Sequence, residues 1–275
     1  MKLCVGSVFA ADDAQSQKWL DLQLQFLKST TQNFDHVAIV WGGNKTGYFT
    51  DKTHAIYPEG EVGSASVCHR EGLNHITSFF REQNDYSHFL YLDCDAFPIK
   101  TGWLIELSNQ MEEQPVMDNG MFSRMVGRDY DIAVIVRAEN LETRLHASVL
   151  FVKKSALPNI SFAYDSVGSD LRGNAENDIH IPEYQWELRD QAFALMRSNK
   201  KNLHPLACGV CYNMFYHHGC GSRVMKVRGN STLFTAKPYW DSFGELKTDD
   251  LTEQLMESPS SFISELAGWT PSRYA

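Results

Sequence analysis

Short apolar runs alternating with amphipathic stretches are the feature that most narrows the folds open to this chain. Leu3–Phe9 carries no charged residue and reads as a buried strand. The stretch after it supplies a buried helical face from Trp19, Leu20, Leu22, Leu24, Phe26 and Leu27. Asp12 and Asp13, at the start of that helix, suit its free amides and the positive end of its dipole. Val37–Trp41 repeats the strand pattern and stops at Gly42-Gly43-Asn44, a turn signal, and a helix is expected from about Ser64 to Arg81. Thr101 is a candidate cap for a helix carrying Trp103, Leu104, Ile105, Leu107 and Met111. Further strands are expected at Ile132–Arg137, Ala147–Lys153 and Ala207–Tyr216, with Glu112–Asp131 as a polar connection. Ser166–His180 has the Gly, Asp, Ser and Asn content of a long binding loop or lid, and Pro182 then opens an amphipathic helix. An acidic helical segment follows from Leu251. The pattern predicts an α/β protein, a sheet covered by helices. At 275 residues, 43% of them hydrophobic, the chain can bury a core of that size.

The sharpest local motif is Tyr86-Ser-His-Phe-Leu-Tyr-Leu-Asp93-Cys-Asp95-Ala-Phe-Pro98, an apolar strand that runs into two carboxylates and then a proline. In extended backbone, side chains two apart share a face, so Asp93 and Asp95 can meet on one cation beyond the strand's carboxyl end. Hard divalent cations favour carboxylate oxygens and keep positions open for phosphate, which points to chemistry on a diphosphate compound. The competing role for the pair is a polar turn in which the aspartates bond local backbone groups.

With these residues on the page, the layout resembles the GT-A class of nucleotide-sugar-dependent glycosyltransferases. The likeness rests on the apolar first strand, the helix with Arg70 and Asn74, the Asp93-Cys-Asp95 motif and the late strand end at His217-His218, and it spans roughly residues 1–225. It implies a GT-A-like, Rossmann-like mixed sheet flanked by helices, with a catalytic domain over residues 1–245 and a C-terminal helical tail over 246–275 packed on it. It also implies transfer of a sugar from a nucleotide diphosphate donor, UDP favoured, to an acceptor hydroxyl on a glycan, with Mn²⁺ or Mg²⁺ as cofactor. Asp93, Asp95 and one of His217 and His218 would hold the metal, and adjacent residues in a strand point to opposite faces, so at most one histidine reaches it. Phe9, Arg70, Asn74, Asp93 and Arg223 would meet the nucleotide, and Asp190 would act as general base or orient the donor sugar. Arg70, Asp190 and Arg223 have competing roles as ordinary surface or turn residues. Cys94 at the variable central position leaves the donor sugar unassigned.

Two other classes compete. A nucleotidyltransferase acting on a sugar phosphate also binds metal through aspartates, but it calls for a Gly-rich phosphate loop after the first strand, where this chain has Val8-Phe-Ala-Ala-Asp-Asp13. A zinc-stabilised binding module would use Cys208, Cys211, His217 and Cys220. Three of the six cysteines, Cys4, Cys68 and Cys94, read instead as buried core thiols. The formal net charge of −9 gives no general attraction to nucleic acid, leaving only a local basic groove for such a partner. No run has the roughly 18 apolar residues of a membrane span, and the N-terminal stretch reads as a strand rather than a leader, so a cytoplasmic location is expected.

Overall fold

A computed structural model describes residues 1–9, 14–41, 53–59, 65–113, 121–125, 131–139, 142–162, 179–180, 209–211, 214–218 and 248–267. Its centre is strand β1 (Leu3–Phe9), all of whose residues are buried. β1 pairs in parallel with β2 (Phe34–Val40) on one side and with β4 (His88–Asp93) on the other. A continuous apolar run suits such a strand, because both of its faces are covered. β3 (His54–Ile56) extends the parallel part beyond β2. Beyond β4 the sheet turns antiparallel through β8 (Glu142–Lys153), β7 (Asp131–Glu139) and β6 (Met121–Met125), giving the order β3-β2-β1-β4-β8-β7-β6. β6 lies inside the stretch expected to be a polar connection. Backbone pairing with β7 overrides the weak local signal of Met-Phe-Ser-Arg-Met.

Helix α1 (Ala14–Thr30) covers one face of the sheet and α2 (Ala65–Glu82) the other. The period-2 alternation of the strands supplies both cores. Leu3, Val5 and Phe9 join Ala38, Val40, Leu90 and Leu92 beneath Trp19, Leu20, Phe26 and Leu27 of α1. Cys4, Val8, Val37, Ile39, Phe89 and Tyr91 face Leu73, Ile76 and Phe80 of α2. Cys4, Cys68 and Cys94 are buried thiols, as expected. The α/β class and flanking helices predicted from the sequence are therefore present.

Gly6 marks how closely α2 approaches β1. A Cβ there would lie 2.4 Å from Ile76 Cγ2 and 2.8 Å from Phe80 Cζ. Gly6→Ala should overpack this contact and lower stability by about 1–3 kcal/mol, read as a lower urea midpoint at unchanged m-value. An unchanged midpoint would contradict the close approach.

Helix α3 (Trp103–Glu113) follows a turn in which Gly102, at φ +78°, presents its carbonyl to the amide of Glu106. Gly102 thus sits at the position expected for Thr101, because that backbone conformation disfavours a side chain. Trp103 is buried, donating its indole N–H to Thr31 Oγ1 at 2.8 Å, whereas Ile105 is exposed. Helices α4 (Thr248–Glu257) and α5 (Pro259–Ala267) place Leu255, Phe262 and Ile263 in the α1-side core, with Phe262 edge-on to Tyr216. Among the described residues, no helix is long and apolar enough to cross a membrane.

Candidate functional site

In an open sheet of this kind a ligand crevice forms beyond the carboxyl ends of the parallel strands, where strand order reverses. Here that point is the gap between β1 and β4, because β2 and β3 lie to one side of β1 and β4 to the other. Phe9 ends β1 and Asp93 ends β4. By connectivity α1 and α2 both begin at this edge, so the positive ends of their dipoles lie on it.

The motif that closes β4 is not one extended strand. Cys94 and Asp95 form a turn, after which β5 (Ala96–Pro98) enters a second, three-stranded sheet. There β5 pairs antiparallel with β12 (Phe215–His217), which pairs with β11 (Gly209–Cys211). The single strand expected over Ala207–Tyr216 is therefore a hairpin in the described residues. Its register sets His217 opposite Ala96, and the amide of His218 donates to the carbonyl of Asp95 at 3.0 Å. Long-range pairing, rather than the i, i+2 spacing alone, delivers the histidine to the carboxylates.

The result is a compact cluster. One ligand atom from each of Asp93, Asp95 and His217 lies within 4.8 Å of the others. His217 Nε2 is 3.3 Å from Asp93 Oδ2 and 3.5 Å from Asp95 Oδ1. The side chain of Asp93 is 16% exposed, against 5% for Asp95 and 4% for His217, so the cluster opens to solvent on the Asp93 side. His69 of α2 brings its Nε2 to 3.1 Å from Asp93 Oδ1, an oxygen buried from solvent. Burial pushes the Asp93 carboxyl up, but the His217 and His69 imidazoles outweigh this and hold it well below the usual carboxylate range. Two carboxylates and an imidazole form a donor set that fits a hard divalent cation.

His218 takes the other face of the strand end, as alternation requires. Its ring is fully buried, with Nδ1 2.9 Å from the Tyr216 hydroxyl and the ring 5.2 Å from that of Trp19. Burial, with the charge of His217, lowers its pKa to about 3. Among the described residues, His217 is the histidine that joins the two aspartates.

The remaining expectations divide. The Phe9 side chain is buried in the α1-side core, and its carbonyl accepts from the Trp41 amide at 2.9 Å. Asn74 donates to the Phe162 carbonyl at 2.9 Å and accepts from the Phe162 amide at 3.0 Å. That paired bond ties α2 to β9 (Ser161–Phe162), which pairs antiparallel with β10 (Ile179–His180). Arg70 lies 3.3 Å from Glu71 Oε1. Asp190, Arg223, Cys208 and Cys220 fall outside the described residues, as do Asp12, Asp13 and the helix expected after Pro182. His69 had no role assigned from the sequence. Its signal was position, since it precedes Arg70 on the helix face that turns toward the motif strand.

No protein-family model matches the chain. No curated protein matches it either. Similar solved structures include the galactosyltransferase LgtC in complex with donor and acceptor sugar analogs, with 12% identity, TM-score 0.31, and 57% of this chain and 59% of that one covered. They also include a glycosyltransferase involved in the glycosylation of the major capsid of PBCV-1, with 12% identity, TM-score 0.39, and 82% of this chain and 100% of that one covered. The matched region thus spans less than two thirds of LgtC.

Proposed function

We propose that this edge of the sheet is the active centre of a metal-dependent glycosyltransferase. It moves a sugar from a nucleoside diphosphate donor, UDP favoured, to an acceptor hydroxyl on a glycan. One observation carries the reading: Asp93, Asp95 and His217 converge within 4.8 Å at the carboxyl edge where strand order reverses. Asp93, Asp95 and His217 would hold Mn²⁺ or Mg²⁺, which when bound neutralises the charge on the departing diphosphate. His69, beside Asp93, keeps that carboxylate ionised and oriented toward the cluster. Arg70 and Arg223 supply guanidinium groups suited to phosphate oxygens, and Asp190 takes the acceptor proton or orients the donor sugar. Residues 1–245 form the catalytic domain in this reading and 246–275 its tail.

The zinc-module alternative draws no support from the cluster. His217 Nε2 faces two carboxylates, and a site this rich in oxygen suits a harder cation than a thiolate zinc site does.

Thermal unfolding with nucleoside diphosphates, with and without Mn²⁺, tests the reading. A ligand at about 100 times its dissociation constant adds ~2.7 kcal/mol, a shift of several degrees for a chain of this size. The expected result is a shift with UDP that requires Mn²⁺. No shift with any nucleoside diphosphate would overturn it.

A further inference from the structure

We propose that Gln23 is the positioning residue of this site: its buried carboxamide clamps both ends of the turn that carries Asp93 and Asp95. The inference rests on the metal-site reading above and assigns a function to a residue that touches none of the proposed ligand atoms. Gln23 Nε2 donates to the carbonyl of Asp93 at 3.0 Å and to the carbonyl of Ala96 at 2.7 Å. Its Oε1 accepts from Ser7 Oγ of β1 at 2.9 Å and lies 2.9 Å from His36 Nε2 of β2. Both amide hydrogens are thereby donated, and Oε1 accepts from Ser7 with the His36 ring against it.

Four strands, β1, β2, β4 and β5, meet α1 at this group. Gln23 stands at the middle of the α1 stripe formed by Trp19, Leu20, Phe26 and Leu27, a position where an apolar residue would pack without needing partners. Full burial of a carboxamide there is tolerated because every polar atom is paired, and such a network fixes one geometry. The geometry it fixes is the separation of the Asp93 and Ala96 carbonyls across the Cys94–Asp95 turn. The His218 amide holds the Asp95 carbonyl from the other side. The turn is therefore pinned at residues 93, 95 and 96, and the two carboxylates are presented to His217 before any ligand arrives.

His36 completes the clamp. Its Nε2 lies 2.9 Å from Gln23 Oε1, and the Thr53 hydroxyl, which sits against its Nδ1, is 2.6 Å from the His36 carbonyl. Ser7 Oγ donates to Oε1, which commits the amide nitrogen to the two carbonyls.

Mn²⁺ binding to the full chain, followed by electron paramagnetic resonance with the metal alone, tests the role. Gln23→Glu keeps the shape but removes the donors and sets a carboxylate against two carbonyls. It should weaken Mn²⁺ binding about 10–100-fold, the scale seen when groups supporting metal ligands are removed. Gly6→Ala, on the opposite face of β1, lowers stability without touching the clamp and should bind Mn²⁺ as the wild type does. Ser7→Ala, which removes one donor to Oε1, should weaken binding several-fold and stands in should Gln23→Glu fail to fold. Equal weakening in Gly6→Ala and Gln23→Glu, or unchanged binding in Gln23→Glu and Ser7→Ala, overturns the positioning role while leaving the metal site intact. Wild-type protein that takes up no Mn²⁺ overturns the metal site itself, and the clamp's function with it.

Discussion

Asp95→Asn is expected to lower sugar transfer by on the order of 10³-fold or more while leaving the metal-free fold as stable as the wild type. The side chain is buried and isosteric with its replacement, so packing is preserved. What changes is charge. With ligand atoms within 4.8 Å of one another, Asp93 and Asp95 repel in the absence of a cation, and His217 offsets that only when protonated. Removing one carboxylate relieves the repulsion in the metal-free protein and removes half of the anionic charge that attracts the ion. Asp93→Asn should behave alike in activity, although it also loses the His69 and His217 contacts. Steady-state transfer assays beside urea unfolding of the metal-free protein check both halves. Full activity in either variant contradicts the assignment. A fold lost along with activity would instead make the carboxylates structural.

Acid should unfold the protein well above the pH at which ordinary carboxylates protonate. His36 and His218 are held neutral in the fold, burial lowering each from 6.5 to about 3, with His217 adding to the effect at His218. Between these values the unfolded chain binds both protons and the folded protein does not. Stability is therefore fully present above about pH 6.5 and declines as pH falls toward 3. Each histidine contributes a slope of up to ~1.4 kcal/mol per pH unit. Together they give up to about 2.7 kcal/mol per unit, a large share of the 5–15 kcal/mol typical of a folded domain. Asp93, with its carboxyl held below the ordinary range, extends the loss in the same direction at lower pH. Urea titrations at pH 7, 6, 5 and 4.5 measure the slope. His36→Gln should reduce it by about one proton's worth. A flat profile over this range contradicts the neutral burial of these two rings.

Much of the fold was legible because it follows from periodicity within single elements. Leu3–Phe9 is uncharged and mostly apolar since it is covered on both faces, and Trp19 to Leu27 marks the buried face of α1 by its spacing. The Asp93/Asp95 pair could be read from its place at the end of an apolar strand, and the opposite faces of His217 and His218 from strand geometry. The parts that were not legible arise from contacts between distant segments. Pairing of β5 with β12 joins residues 96–98 to 215–217 and converts one expected strand into a turn between two sheets. The paired bond of Asn74 to the Phe162 backbone joins residues 88 apart and has no local signal. Gln23 did leave a trace, a polar residue at the centre of an apolar stripe. Its meaning depends on the carbonyls of Asp93 and Ala96, which no local pattern reveals.

The central claim is that Asp93, Asp95 and His217 hold the ion that engages a nucleoside diphosphate. Anomalous diffraction from crystals grown with Mn²⁺ and UDP tests it most directly, because the signal locates the metal without reference to the protein's chemistry. The account predicts a Mn²⁺ peak within bonding distance of all three side chains and of the diphosphate. A peak elsewhere, or a bound nucleotide with no metal between it and these residues, would contradict it.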